Sequence, residues 1–123
     1  MISVIISIGS NCGDRHSMVE KAIEWLNTIL MQTKASSIYE TPCALKSGTP
    51  YMNAVVKGYY SGNGFSLDDL LKEKEHKMGR SAECREKGEV PIDLDIVVCD
   101  GEILKAWDYR QRFFQIGLQQ IED

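Results

Sequence analysis

Asp93 and Asp95 lie two residues apart in the run Ile92-Asp93-Leu94-Asp95-Ile96. In a strand, residues at that spacing project to one side with α-carbons about 6.5 Å apart, and Ile92, Leu94 and Ile96 project to the other. Paired carboxylates repel each other unless a cation compensates. Oxygen ligands on a rigid strand, with water and phosphate completing the shell, suit Mg²⁺. The plainer role is a solvated strand face, which the motif alone favours by roughly two to one. Tyr51 and Asn53 share a face by the same argument. An aromatic plane beside an amide can stack a flat heterocycle and bond its edge, although most such pairs only pack across strands. Glu75 follows Leu71 by four residues, at the border of a helix's apolar face. By position alone it is an ordinary charged edge residue. The turn Gly9-Ser10-Asn11 lacks the spacing of a Walker A or G-x-G-x-x-G phosphate loop.

The elements that must position these residues are legible in outline. Ile2, Val4, Ile6 and Ile8 alternate as a half-buried strand does. Ser17 and Glu20 form a capping-box signature for a helix over about 16–31. Lys34 to Tyr39 reads as a more polar strand ended by Thr41-Pro42, and a loop with Gly48 and Pro50 leads to a long strand from Tyr51 to Tyr60. Ser66 and Asp69 mark a second helix carrying Leu67, Leu70, Leu71, Lys74 and Met78, closed by Gly79. Arg80 to Pro91 is charged or small and is expected to be a mobile loop. Ile92 to Cys99 is the last strand, and Tyr109 to Gln120 holds a short helix. The order βαββαβ predicts a ferredoxin-like α+β domain: a four-stranded antiparallel sheet with its helices on one face.

The chain has 123 residues, 43% of them hydrophobic and 26% charged, which fits a single domain over 1–123 and excludes a disordered protein. The formal charge of −4 argues against a nucleic-acid partner, and no apolar run reaches the ~20 residues of a membrane span. The start reads as a strand rather than a signal peptide. Cys12, Cys43, Cys84 and Cys99 contain no C-x-x-C pair, so reduced cytoplasmic thiols are expected rather than zinc ligands or disulfides.

Five segments occur in a telling order: Gly9-Ser10-Asn11-x-Gly13-Asp14-Arg15, Tyr39-Glu40-Thr41-Pro42, Tyr51-Met52-Asn53-Ala54-Val55, Glu75-x-x-x-Gly79-Arg80 and Asp93-Leu94-Asp95-Ile96. From Ile2 to about Leu118 the set resembles the 6-hydroxymethyl-7,8-dihydropterin pyrophosphokinases of folate biosynthesis. That resemblance implies ATP as co-substrate and two Mg²⁺ ions, with pyrophosphoryl transfer to the pterin's hydroxymethyl oxygen and release of AMP. It implies Asp93 and Asp95 as metal carboxylates, and Arg112 as a late arginine near the phosphates. Thr41, Pro42, Tyr51 and Asn53 become pterin-pocket residues, with Phe114 sandwiching the ring against Tyr51. Glu75, Arg80 and Ile96 are placed at the nucleotide. The partners are then small molecules, and the chain a monomer or weak oligomer.

The chain departs from the family pattern at three positions. Val90 and Ala82 stand where phosphate-side arginines are usual, and Ala106 where a histidine is usual. Arg85, Lys87, Lys105 and Arg110 are the nearby cations, although a lysine is not a bidentate clamp. Two other readings compete with an active enzyme: a non-catalytic relative that binds a pterin or another flat heterocycle, and an interaction domain without a small-molecule site.

Overall fold

The computed structural model describes residues 1–43 and 48–122. Part of the loop expected after Pro42 lies outside them. The elements run β1 (Ile2–Ser10), α1 (Arg15–Ile29), β2 (Met31–Ala35), β3 (Tyr39–Thr41), β4 (Tyr51–Tyr60), α2 (Gly64–Lys77), α3 (Ala82–Glu86), β5 (Asp93–Cys99), β6 (Glu102–Ile103), α4 (Ala106–Arg110) and α5 (Arg112–Ile121).

All pairings are antiparallel, in the order β2-β4-β1-β5-β6, with β3 also paired to β4. The sheet therefore has six strands where four were expected. The difference arises at two places. The expected strand at Lys34–Tyr39 is split into β2 and β3 around Ser36, whose Oγ accepts from Val55 N at 2.8 Å. A two-residue strand, β6, then folds back on β5 through Asp100-Gly101, both at positive φ.

Strand alternation sorts the side chains. Val4, Ile6, Ile8, Ala54, Val56, Leu94 and Ile96 face one side, where Val19, Ala22, Leu26, Leu67 and Leu71 of α1 and α2 cover them. Helices were expected on that face alone. The opposite face is covered as well: Val55 and Val97 pack against Phe114, Leu118 and Ile121 of α5. The helical stripe Phe114, Gly117, Leu118, Ile121 makes this second layer amphipathic. Gly117 is its contact point, since a Cβ there would lie 2.5 Å from Val55 Cγ2 and 2.7 Å from the Tyr39 hydroxyl.

The helix starts also differ from expectation. Asp14, not Ser17, caps α1, and Asn63, not Ser66, caps α2. In each case the upstream side-chain oxygen accepts from the serine's N–H, at 3.2 Å and 2.8 Å. The serines therefore stand three residues inside, as the groups being capped.

The segment expected to be a mobile loop contains α3, capped by Ser81, and is clasped from β1's end. Asn11 donates from Nδ2 to Gly88 O (3.1 Å), accepts at Oδ1 from Val90 N (2.6 Å), and donates from its backbone N to Val90 O (2.9 Å).

Candidate active site

The three central strands meet in one register at Gly9, which pairs with Asn53 on β4 and with Asp93 on β5. On the face away from α1 and α2, this row presents an amide, no side chain, and a carboxylate. Ser7, Gly9, Thr41, Pro42, Cys43, Tyr51, Asn53 and Asp93 line a cavity of about 220 Å³, walled on the far side by Trp107, Asp108 and Phe113. A Cβ on Gly9 would come within 3.2 Å of Tyr51 Cδ2, so the absent side chain lets the Tyr51 ring lie close to β1.

Asn53 is buried and its orientation is determined by its partners. Nδ2 donates to Thr41 Oγ1 (2.8 Å) and to the carbonyls of Tyr39 and Tyr51 (both 3.3 Å). Carbonyl oxygens only accept, so the NH₂ end must face them. The amide oxygen is left toward the Gly9 side, where it accepts no hydrogen bond among the described residues. It is an acceptor suited to the N–H edge of a ring. Burial and the charge of Asp93 push the Tyr51 phenol up from its ordinary value, which keeps it protonated.

Asp93 and Asp95 share the pocket face, as strand alternation requires, but their surroundings differ. Asp93 pairs with Arg80 at 2.9 Å. Burial, then the neighbouring charges of Asp95 and Glu75, push its carboxyl up to about 7, with Arg80 opposing. Asp95 is more deeply set, and its Oδ1 accepts from Lys105 Nζ at 2.7 Å and Lys72 Nζ at 3.3 Å. Burial pushes Asp95 up, but its hydrogen bonds and the two lysine charges prevail and hold it below the ordinary carboxylate value.

Among the described residues no set of three or more His, Cys, Asp or Glu side chains forms a metal cage. Two carboxylates on a strand nevertheless fit Mg²⁺ of the kind completed by water and substrate phosphate rather than enclosed by protein. Asp93 and Asp95 are the residues that would hold it.

The remaining expected residues are distributed as follows. Thr41, Pro42, Tyr51 and Asn53 line the pocket. Phe114 does not. It is fully buried with the α5 stripe against Val55 and Val97 of the sheet, beside the Tyr109 ring 5.7 Å away. The ring that reaches the pocket is its neighbour Phe113, tilted against Trp107 at 6.1 Å. Arg112 is exposed at the start of α5 and lines an adjoining hollow with Thr41, Pro42 and Phe113. Ile96 is buried among the side chains beneath α1 and α2, so only its backbone is available to a ligand. Glu75 is also buried: its Oε2 accepts from Leu94 N (2.7 Å) and Lys72 Nζ (3.1 Å), tying α2 to β5. Arg80 reaches both Asp93 and Glu75, the latter at 3.3 Å. Trp107, Asp108, Phe113 and Lys72 were not singled out from sequence, and Lys105 was named only as one of four nearby cations. For Phe113 the signal was present, because helical phase turns it about 100° from the buried stripe.

The fold and site define an α+β domain with a ring-sized pocket beside a carboxylate pair. The chain belongs to the 7,8-dihydro-6-hydroxymethylpterin-pyrophosphokinase (HPPK) family, whose sequence profile matches residues 5–123. It is 36% identical over 104 residues to the 2-amino-4-hydroxy-6-hydroxymethyldihydropteridine pyrophosphokinase of Bacillus subtilis, covering 82% of this chain and 62% of that protein. The Porphyromonas gingivalis protein of the same name is 35% identical over 104 residues, covering 80% and 69%. A folate synthesis bifunctional protein of Arabidopsis thaliana is 31% identical over 96 residues, covering 76% of this chain and 20% of its own. The chain thus spans about three fifths of the length of the Bacillus relative it matches. No helix among the described residues is long and apolar enough to cross a membrane.

Proposed function

We propose that this chain transfers the β,γ-pyrophosphoryl group of ATP to the hydroxymethyl oxygen of 6-hydroxymethyl-7,8-dihydropterin, on a ferredoxin-like frame extended by β3 and β6. The observation that carries the reading is the Gly9 row. It sets a ring-edge acceptor, Asn53 Oδ1, and a phosphate-side carboxylate, Asp93, on one sheet face with a side-chain gap between them. Adjacent strands are about 4.8 Å apart, so the two residues stand about 10 Å apart across that gap. A flat bicycle and its one-carbon arm span such a distance.

In this reading Tyr51 and Phe113 hold the pterin ring, with Trp107 at the edge, and Asn53 accepts from its N–H groups. Holding the hydroxymethyl oxygen toward Asp93 turns a two-body encounter into a positioned one. That oxygen bonds to the β-phosphorus as the bond from phosphorus to the α–β bridging oxygen breaks. AMP leaves with the bridging oxygen, and the hydroxyl proton is released to solvent. Asp93 and Asp95 would hold Mg²⁺, two ions by the family resemblance, which when bound would supply Lewis-acid stabilisation of the phosphate charge. Arg80, paired with Asp93, is the arginine set beside the carboxylates. Arg112 is assigned to the phosphates by the family resemblance, and its side chain lines the hollow beside Thr41, Pro42 and Phe113.

One observation favours a second reading, a pterin-binding relative that does not transfer. Ala82 and Ala106 are exposed on short helices, and Val90 is held by Asn11, so none of the three supplies a cation. An arginine on transition-state charge can be worth ~10³-fold in phosphoryl transfer. Incubation with ATP, Mg²⁺ and 6-hydroxymethyl-7,8-dihydropterin separates the two. AMP released only when all three are present supports the enzyme. Pterin bound in calorimetry with no AMP supports the binder, and neither result discards both.

A further inference from the structure

Asp93, Asp95 and Glu75 each pair with a cation, whereas Asp108 on the pocket wall, within electrostatic reach of Asp95 and Lys105, has no ion pair among the described residues. Arg80 pairs with Asp93, Lys72 and Lys105 with Asp95, and Lys72 and Arg80 with Glu75. The two lysines are held very differently. Lys72 Nζ donates to Glu75 Oε2 and the Leu94 carbonyl, both at 3.1 Å, as well as to Asp95, so it is fixed between α2 and β5. Lys105 Nζ has one hydrogen-bonding partner among the described residues, Asp95 Oδ1, at 2.7 Å, the shortest ion pair in the cluster. Its side chain is 43% exposed and starts from the residue preceding α4, two positions before the pocket residue Trp107.

We propose that Lys105 is a displaceable counter-ion for the metal carboxylate, an inference that rests on the nucleotide-binding reading above. In the free protein its ammonium occupies Asp95 Oδ1. A bare divalent cation arriving there meets a like charge and must break the shortest ion pair of the group, so the free protein binds such a cation poorly. A metal–triphosphate complex brings phosphate oxygens with it. The ammonium, tethered by a flexible four-carbon stem and a single bond, transfers to one of them. Metal and nucleotide therefore enter together. Lys105 then supplies on the phosphate side a positive charge that Val90, Ala82 and Ala106 do not. It does so as a point charge rather than a fork.

The test is Mn²⁺ binding to the full chain, followed by electron paramagnetic resonance, with and without a non-hydrolysable ATP analogue. The unmutated protein is expected to bind Mn²⁺ weakly alone and tightly with the analogue. Lys105→Gln is expected to bind Mn²⁺ alone about tenfold more tightly, because a unit charge beside the carboxylate has gone, and to bind the analogue about tenfold more weakly. Lys105→Arg, which keeps the charge, should bind Mn²⁺ alone as weakly as the unmutated protein. Adding Asp95→Asn to Lys105→Gln should abolish the gain. Unchanged Mn²⁺ affinity in Lys105→Gln, or a gain that survives Asp95→Asn, overturns the role of Lys105 while leaving the nucleotide site standing. Failure of the unmutated protein to bind Mn²⁺ even with the analogue overturns the nucleotide reading itself.

Discussion

Asn53 and Asp93 stand on opposite sides of Gly9, each its register partner on a neighbouring strand. A glycine in a central strand is ordinarily unfavourable, because it adds conformational entropy to the unfolded chain and packs nothing. Here the missing side chain forms the floor of the cavity, and Tyr51 occupies part of the space a Cβ would take.

Gly9→Val should therefore separate folding from binding. Valine suits a strand, but its methyl groups would displace the Tyr51 ring and fill the gap between Asn53 and Asp93. Pterin affinity in calorimetry should fall by at least about tenfold, a loss of ~1.4 kcal/mol, with the far-ultraviolet circular dichroism spectrum retained. Undiminished pterin affinity would mean that the ring does not lie over Gly9.

A second prediction concerns the attachment of α5, which carries Phe113. The Tyr39 hydroxyl donates to Phe113 O at 2.5 Å and accepts from Gly117 N at 3.0 Å, joining β3 to the helix. Burial pushes this phenol up to about 12. A folded pKa above the unfolded value of about 10 gives stability that is complete below pH 10 and lost as pH rises through 12. Tyr39→Phe should cost about 1–2 kcal/mol at pH 8, and its deficit should shrink between pH 10 and 12. Urea titrations at pH 8 and pH 11.5 measure both. A deficit that stays constant across that range would contradict the buried-hydroxyl account.

What could be read from the sequence follows the strand period. Tyr51 with Asn53 and Asp93 with Asp95 are placed on the pocket face by alternation alone, because residues two apart cannot separate. Phe114 illustrates the limit. Its helix was legible, but the choice between Phe113 and Phe114 depends on helical phase, and the stripe of Phe114 with Gly117, Leu118 and Ile121 settles it for the core. Glu75 was legible as a residue bordering an apolar face. Its bond to Leu94 N joins positions 19 residues apart, which no local pattern encodes. The same holds for Lys105 and Asp95, brought together by the β5–β6 turn and the short segment after it. The split of the second strand and the α5 layer were missed because both depend on contacts with β4.

Asn11 offers a third test. Its side chain makes two of the three hydrogen bonds that hold the Gly88–Val90 backbone beside β1. Asn11→Ala removes both and should cost about 1–3 kcal/mol, since the side chain is buried and its partners lose their bonds. Hydrogen exchange should accelerate from Ser81 to Val90 and remain slow in β1, β4 and β5. Uniform acceleration across the sheet would show that Asn11 supports the whole fold rather than this segment. If the segment closes over a nucleotide, adding an ATP analogue with pterin should restore protection.

The two carboxylates should respond oppositely to neutralisation in metal-free protein. From spacing alone, either substitution relieves repulsion and stabilises. The structure distinguishes them. Asp95 is buried and, among the described residues, is the one side-chain hydrogen-bond partner of Lys105 and one partner of Lys72. Asp95→Asn leaves two ammonium groups undercompensated and should lower stability by about 1–3 kcal/mol, toward the range for breaking a buried pair but reduced because the lysines are half-exposed. Asp93 carries the strain of the like charges: its carboxyl is pushed up to about 7 by burial and by Asp95 and Glu75. At pH 8 it is ionised at a cost, so Asp93→Asn should leave stability equal or raise it by up to about 1 kcal/mol, the loss of the Arg80 pair offsetting part of the gain. Thermal denaturation in the presence of a chelator at pH 8 measures both. Both variants should lose metal-dependent binding of the ATP analogue, so opposite stability changes with a shared binding defect are the expected signature. Equal destabilisation by the two substitutions would mean that Lys72 and Lys105 do not discriminate between the carboxylates, and unchanged metal-dependent nucleotide affinity in either variant would remove that residue from the metal site.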